Sequence, residues 1–358
     1  MFLQVWENQQ NIIMTELSKK SVIDLSKKGS RLFRKGQLED AEKVYLQAYE
    51  LDNNNPYVLA GLGDVYRKLC KFEESAKYYD AILSEDNKNL FALRGAGDAR
   101  RGMKNPQQAI PFWLRYLEIN PKDSHVMVRV ADAYHKLHDA DNAIVFYEEA
   151  LKVSTNDPFA LLGLGNVYYA QHEDTRALLC FETLLKNNSQ NVVIMTMTGN
   201  IYRRRKEFDR AMDHYQQALE LEPDNNFALF GMGDCYRGQM NMEKAVEWWD
   251  KILEQEPENQ ALWTRVGDAL LSLKRIDDAI AHYEASLKNG ADVFSYFGLA
   301  RAQHAHGDLT KAREYCEIAL SHDETNERVL ERLVNICEEA GDLLAADEAR
   351  EKLSQTDN

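Results

Sequence analysis

Residues 226 to 259 read NFALFGMGDCYRGQMNMEKAVEWWDKILEQEPEN, and this stretch decides the fold. Leu229, Met232, Gly233 and Tyr236 recur at helical spacing and predict the buried face of one helix. Ala245, Trp249 and Ile252 do the same for a second helix, and Asn241 between them is a good N-cap for it. Outward from Gly233 the same marks return every 34 residues, at Gly29, Gly63, Gly97, Ala131, Gly165, Gly199 and Gly267. Twelve residues after each stands Ala41, Ser75, Ala109, Ala143, Ala177, Ala211, Ala245 or Ala279. Four beyond those stand Tyr45, Tyr79, Trp113, Tyr147, Phe181, Tyr215, Trp249 and Tyr283. One residue is lost near Gly290. Ala300, Ala312 and Cys316 then resume the columns, and a degenerate repeat with Val334 and Ala346 ends them, making about ten repeats.

With the glycine column numbered 8, positions 4, 7, 8 and 11 form the buried stripe of helix A, and positions 20, 24 and 27 that of helix B. A small residue at 20 lets the helix axes approach, and the aromatic at 24 fills the space beyond. Asn105, Asp139, Asn241, Asp308 and Asp342 at position 16 are expected to cap helix B, with Pro106 at the first helical position. Pro111, inside helix B of the third repeat, is expected to bend or widen it.

These columns resemble the tetratricopeptide repeat, whose pattern is W-x2-L-G-x2-Y, then A-x3-F, then P. The seventh repeat carries it at Leu229, Gly233, Tyr236, Ala245, Trp249 and Pro257, and Trp263 supplies the tryptophan in the eighth. The resemblance covers roughly Val22 to Leu353. It implies an all-α protein, a right-handed α-solenoid superhelix whose helices A line a concave surface. The expected divisions are an N-terminal extension or capping helix (1–21), then repeats 22–55, 56–89, 90–123, 124–157, 158–191, 192–225, 226–259, 260–292 and 293–326, a degenerate capping repeat (327–354) and a tail (355–358).

Positions 2, 5, 9 and 12 of helix A lie away from the buried stripe, so they are expected to face the groove. Position 9 reads Asp64, Asp98, Asp132, Asn166, Asn200, Asp234 and Asp268, an acceptor each time. Position 12 reads Arg67, Arg101, His135, Tyr169, Arg203 and Arg237. Phe91, Phe159 and Phe227 at position 2 and Arg94 at position 5 complete the expected peptide-binding set. Two readings compete. Each Asp–Arg pair is a surface ion pair three residues apart, contributing about 0.2–0.5 kcal/mol, or the ladder hydrogen-bonds an extended peptide. Long superhelical members of the resembled family carry a ladder mainly of asparagine, which only Asn166 and Asn200 match. The family's carboxylate clamp for chaperone tails needs a Lys, Asn and Arg set that no three consecutive repeats supply.

A second pattern has twice the period: Phe91 to Asp98, Phe159 to Asn166 and Phe227 to Asp234 are near copies 68 residues apart. Gly95, Gly163 and Gly231 at position 6 each cost about 1 kcal/mol of helix stability relative to alanine. Close packing of a neighbouring helix is the preferred explanation over a ligand approaching the backbone.

The balance of 43 basic against 58 acidic residues, a net charge of −15, disfavours nucleic acid and anionic membrane surfaces as partners. No stretch reads as a secretory leader or a membrane span. The five cysteines form neither a metal-binding spacing nor a disulfide framework, which points to a reducing, cytoplasmic setting. His304 and His306, two apart on a helix, face different ways, and Cys180 and Cys316 sit near helix B aromatic positions as small core residues. No phosphate loop, nucleophile elbow, metal motif or cofactor motif appears, so an enzyme is not expected. The expected function is a protein-interaction scaffold or adaptor that binds an extended peptide segment. The alternatives are a self-associating homo-oligomeric organiser and a regulatory partner of a separately encoded enzyme.

Overall fold

The computed structural model describes residues 19–188 and 190–356. Among these residues every regular element is a helix. Contacts divide the chain into two compact halves, Met1–Asn187 and Asn188–Asn358. The N-terminal half holds α1 (19–34), α2 (Leu38–Leu51), α3 (Pro56–Lys68), α4 (Phe72–Glu85), α5 (Leu90–Gly102), α6 (Pro106–Ile119), α7 (Ser124–Lys136), α8 (Ala140–Val153), α9 (Pro158–Ala170) and α10 (Asp174–Asn187). The C-terminal half holds α11 (Val192–Arg204), α12 (Phe208–Leu221), α13 (Asn226–Gly238), α14 (Met242–Gln255), α15 (Gln260–Ser272), α16 (Ile276–Leu287), α17 (Val293–His306), α18 (Leu309–His322), α19 (Glu327–Glu339) and α20 (Leu343–Thr356). Helix α20 continues into the stretch expected as a tail. The expected N-terminal extension up to residue 18 lies outside the described residues.

Within each half a helix A packs on its own helix B, and that helix B packs on the helix A of the next repeat. The halves are therefore α-solenoid segments in which each element meets only near neighbours in sequence. The sequence dictates the joints in three ways. Asn105, Asp139, Asn241, Asp308 and Asp342 cap their helices B as expected, each side chain accepting the backbone N–H three residues on. A further column closes each repeat at Asn55, Asn89, Asp123, Asp157, Asn191, Asn225, Asn259, Asp292 and Asn326, and every one caps the following helix A. The turn from helix A to helix B passes through left-handed backbone. Glycine supplies it at Gly36, Gly307 and Gly341, whereas Cys70, Lys104, His138, His172, Lys206, Met240 and Lys274 adopt φ between 58° and 63° there.

Helix α6 runs unbroken from Pro106 to Ile119, so the irregularity expected at Pro111 is not found. The proline removes one hydrogen bond, to the carbonyl of Gln107, and both residues are exposed, so that carbonyl stays open to water. The residue lost near Gly290 is absorbed by α16, which has 12 residues where the other helices B have 14. Gln260 braces the shortened connection by donating to the Gly290 carbonyl at 2.6 Å and to Asp292 at 2.9 Å.

Candidate peptide-binding face

The site begins with the aromatic at position 24, which is fully buried in Tyr79, Trp113, Tyr147, Phe181, Tyr215, Trp249 and Tyr283. Each ring lies under the helix A of its own repeat. Where the ring is tyrosine, the helix A of the next repeat must also clear it. A Cβ placed on Gly95 would stand 2.4 Å from the Tyr79 ring, one on Gly163 2.2 Å from Tyr147, and one on Gly231 2.3 Å from Tyr215. The position 6 glycines are thus explained by close packing. Where the ring is tryptophan, position 6 of the next repeat is arginine, Arg129 after Trp113 and Arg265 after Trp249.

This alternation sets the environment of position 9. In the tyrosine repeats the hydroxyl donates to the position 9 acceptor of its own repeat: Tyr79 to Asp64 at 2.8 Å, Tyr147 to Asp132 at 2.6 Å, Tyr215 to Asn200 at 2.7 Å and Tyr283 to Asp268 at 2.7 Å. Burial, reinforced by the neighbouring aspartates, holds the phenols of Tyr79, Tyr147 and Tyr283 well above their ordinary pKa, so they remain donors. In the tryptophan repeats arginines replace the hydroxyl. Arg129 meets Asp98 at 3.1 Å and Arg101 meets it at 3.8 Å. Asp234 is met by Arg203 at 2.6 Å, by Arg237 at 3.1 Å and by Arg265 at 3.1 Å. The phenylalanine repeat has neither device, and the Oδ1 of Asn166 is buried without a hydrogen-bond partner among the described residues.

The expected site residues therefore fall into two sets. Arg67 with Asp64 at 2.8 Å and Arg237 with Asp234 are ion pairs three residues apart, as the simpler reading held. Arg203 instead reaches the carboxylate of the following repeat, and His135 is half-buried in the repeat whose Asp132 is engaged by Tyr147. Phe91, Phe159 and Phe227 are exposed, Phe227 to 78%. Arg94 is exposed too and lies over the Phe91 ring at 5.9 Å. Sequence reading missed Arg129, Arg265 and the four hydroxyls. It also missed Tyr57 and Phe294, which are exposed in the same position 2 column at 79% and 74%. The pairing of columns 24 and 6 across adjacent repeats was the available signal.

Among the described residues no group of three or more His, Cys, Asp and Glu side chains could hold a metal ion, and no helix is long and apolar enough to cross a membrane. Sequence profiles of the tetratricopeptide repeat match residues 29–69, 124–157, 198–225, 245–294 and 267–327. The chain belongs to the tetratricopeptide repeat family. Its helix pairs are also those of solved tetratricopeptide repeat structures. One, a tetratricopeptide repeat protein from Parabacteroides merdae, is 16% identical, with 68% of this chain and 97% of that one covered and a TM-score of 0.50. Another, PilF of Pseudomonas aeruginosa, is 18% identical over 59% of this chain and 96% of that one, also at a TM-score of 0.50. At such identities the likeness concerns the fold. No curated protein matches the tetratricopeptide chain significantly in sequence.

Proposed function

We propose that this chain is a protein-interaction scaffold that binds an extended peptide segment of a partner on the helix A face. Membership of the tetratricopeptide repeat family supports the scaffold. The observation that carries the peptide reading is the exposed aromatic column at position 2, Tyr57, Phe91, Phe159, Phe227 and Phe294, in register with the polar ladder at positions 9 and 12. Phe91 packs partly on the buried Tyr79 ring, but Tyr57, Phe159, Phe227 and Phe294 are 68–79% exposed, and aromatic side chains dominate protein interfaces. Polar groups beside them supply hydrogen bonds that orient a peptide backbone. The ligand-facing set is proposed as Asp64, Arg67, Phe91, Arg94, Asp98, Arg101, Asp132, His135, Phe159, Asn166, Asn200, Arg203, Phe227, Asp234, Arg237 and Asp268, joined by Tyr57 and Phe294.

The test is capture of partners from native lysate by the intact chain and by a variant carrying Tyr57→Ser, Phe159→Ser and Phe227→Ser, with helicity checked by circular dichroism. These side chains are exposed, so the variant is expected to stay folded. A partner retained by the intact chain and lost by the variant supports the reading. A partner retained equally by both overturns it.

A further inference from the structure

In the C-terminal half three guanidiniums, Arg203 from α11, Arg237 from α13 and Arg265 from α15, converge on the one carboxylate of Asp234. Asp234 is 5% exposed, whereas the three arginines are 32%, 45% and 38% exposed. Three guanidiniums share one carboxylate, so within the cluster the cations outnumber the anion, while Glu222, Asp224 and Glu256 lie around the neighbouring concavity. The Nε of Arg203 is also buried without an acceptor among the described residues. Beside the cluster lies a concavity of about 1040 Å³ whose lining includes Asn200, Arg203, Asn226, Phe227, Phe230 and Leu262. Three carboxylates share its lining: Glu222 accepts from the Asn225 amide, Glu256 accepts from the Asn226 and Asn259 amides, and Asp224 is exposed to solvent. The exposed Phe227 and the half-buried Phe230, over which the Arg265 guanidinium lies at 4.8 Å, make an apolar floor next to the charge.

A smaller version occurs in the N-terminal half, where Arg101 and Arg129 meet Asp98 and Arg94 lies over the exposed Phe91. In the tyrosine repeats a hydroxyl serves the position 9 acceptor, joined by one arginine at Asp64 (Arg67) and at Asp268 (Arg301). More than one arginine on one carboxylate is therefore a property of the tryptophan repeats.

We infer that the Asp234 cluster is a subsite for the carboxylate of an internal aspartate or glutamate side chain of a bound peptide, with an apolar peptide residue seated on Phe227 and Phe230. This deepens the proposed peptide-binding function and rests on it. A guanidinium fork pairs with a carboxylate through two parallel N–H···O bonds. Guanidiniums that outnumber their one carboxylate suit a single such group, while the carboxylates around the concavity and the net negative charge of the chain oppose a polyanion.

The test pans a display library of random linear dodecapeptides, fused so that no C-terminal carboxylate is free, against the full chain. Asp and Glu are expected to be enriched at least threefold among the selected peptides. A selected peptide synthesised with an amidated C-terminus should lose at least tenfold in affinity when its acidic residue becomes Gln, and by a similar factor against Arg237→Gln. Arg237→Lys should recover part of that loss. Arg237 is the most exposed of the three arginines, so its variants are expected to keep the thermal midpoint of the parent. Selected peptides without acidic enrichment that still require Phe227 would overturn the carboxylate subsite and leave the peptide face standing. If no peptide is selected, or those selected bind Phe227→Ser and Arg237→Gln as well as the parent, both readings fail.

Discussion

The tyrosine repeats and the tryptophan repeats solve one problem in two ways. From the second repeat on, both place a carboxylate or carboxamide at position 9, and both give it a donor. Tyr147 does so from inside with a hydroxyl at 2.6 Å, and Gly163 of the next repeat leaves room for the ring. Trp249 has no hydroxyl, and its own Nε1–H is buried without a partner among the described residues. The donor then comes from outside, from Arg265 and its neighbours. The inner solution finds a donor within the repeat, although Asp268 also accepts from Arg301 of the next one. The outer solution ties a carboxylate to arginines, from two helices at Asp98 and from three at Asp234, and leaves charge at the surface.

The largest test of this contrast converts one kind into the other. Gly163→Arg alone should force the side chain into the Tyr147 ring and cost about 3 kcal/mol, read as a fall in the urea midpoint. Adding Tyr147→Trp should recover at least half of that loss, because the pair then reproduces the tryptophan arrangement. If the two changes are simply additive, the two columns are not coupled as described.

Next in size is the carboxylate itself. Asp234→Ala strands three partly buried guanidiniums and should cost about 2 kcal/mol. Asp268→Ala, in a tyrosine repeat and 55% exposed, should cost under about 1 kcal/mol. Equal losses in chemical denaturation would erase the distinction. Smaller again, Tyr147→Phe removes one hydrogen bond and should cost about 1 kcal/mol, whereas Phe181 already lacks that hydroxyl and offers nothing to remove.

The turn from helix A to helix B is built alike in both kinds, so it serves as a control. Lys104→Gly in a tryptophan repeat and Lys206→Gly in a tyrosine repeat should each stabilise by about 0.5–1 kcal/mol, since glycine adopts positive φ without the Cβ penalty. Unequal thermal shifts would mean that the kinds differ beyond columns 6, 9 and 24.

The smallest effect is on pH, in a tyrosine repeat. Burial alone would lower the pKa of His282, but hydrogen bonds to the Asp250 carboxylate and the Asp278 carbonyl, with both aspartate charges, outweigh it and hold the imidazole above 6.5. A raised folded pKa contributes stability that is complete below the unfolded value and is lost as pH rises through the folded one. The parent should therefore lose slightly more stability than His282→Gln on passing from pH 6 to 8, as denaturation midpoints would record.

Much of this was legible in the sequence because it repeats in place. The columns at positions 8, 20 and 24 needed only a fixed 34-residue step, and the helix B caps from Asn105 to Asp342 followed from their residue types. What escaped reading lay between columns. That Gly163 answers Tyr147, and Arg265 answers Trp249, shows only when neighbouring repeats are compared in pairs. The hydroxyl of Tyr147 reaches Asp132 across two helices, a contact with no local spacing to announce it. Pro111 misled for a related reason, since periodicity does not say whether the carbonyl a proline frees is turned to water or to protein.

The left-handed turn also decides which thiol a reagent can reach. Cys180, Cys235, Cys316 and Cys337 are buried, and burial pushes the Cys180 thiol up to about 11 and those of Cys235 and Cys316 up to about 12. Cys70 is exposed on its turn, so in the folded chain a maleimide dye or nitroxide spin label should attach there selectively. The native sequence thus carries a ready-made attachment point for a spectroscopic reporter a few residues from Asp64 and Arg67.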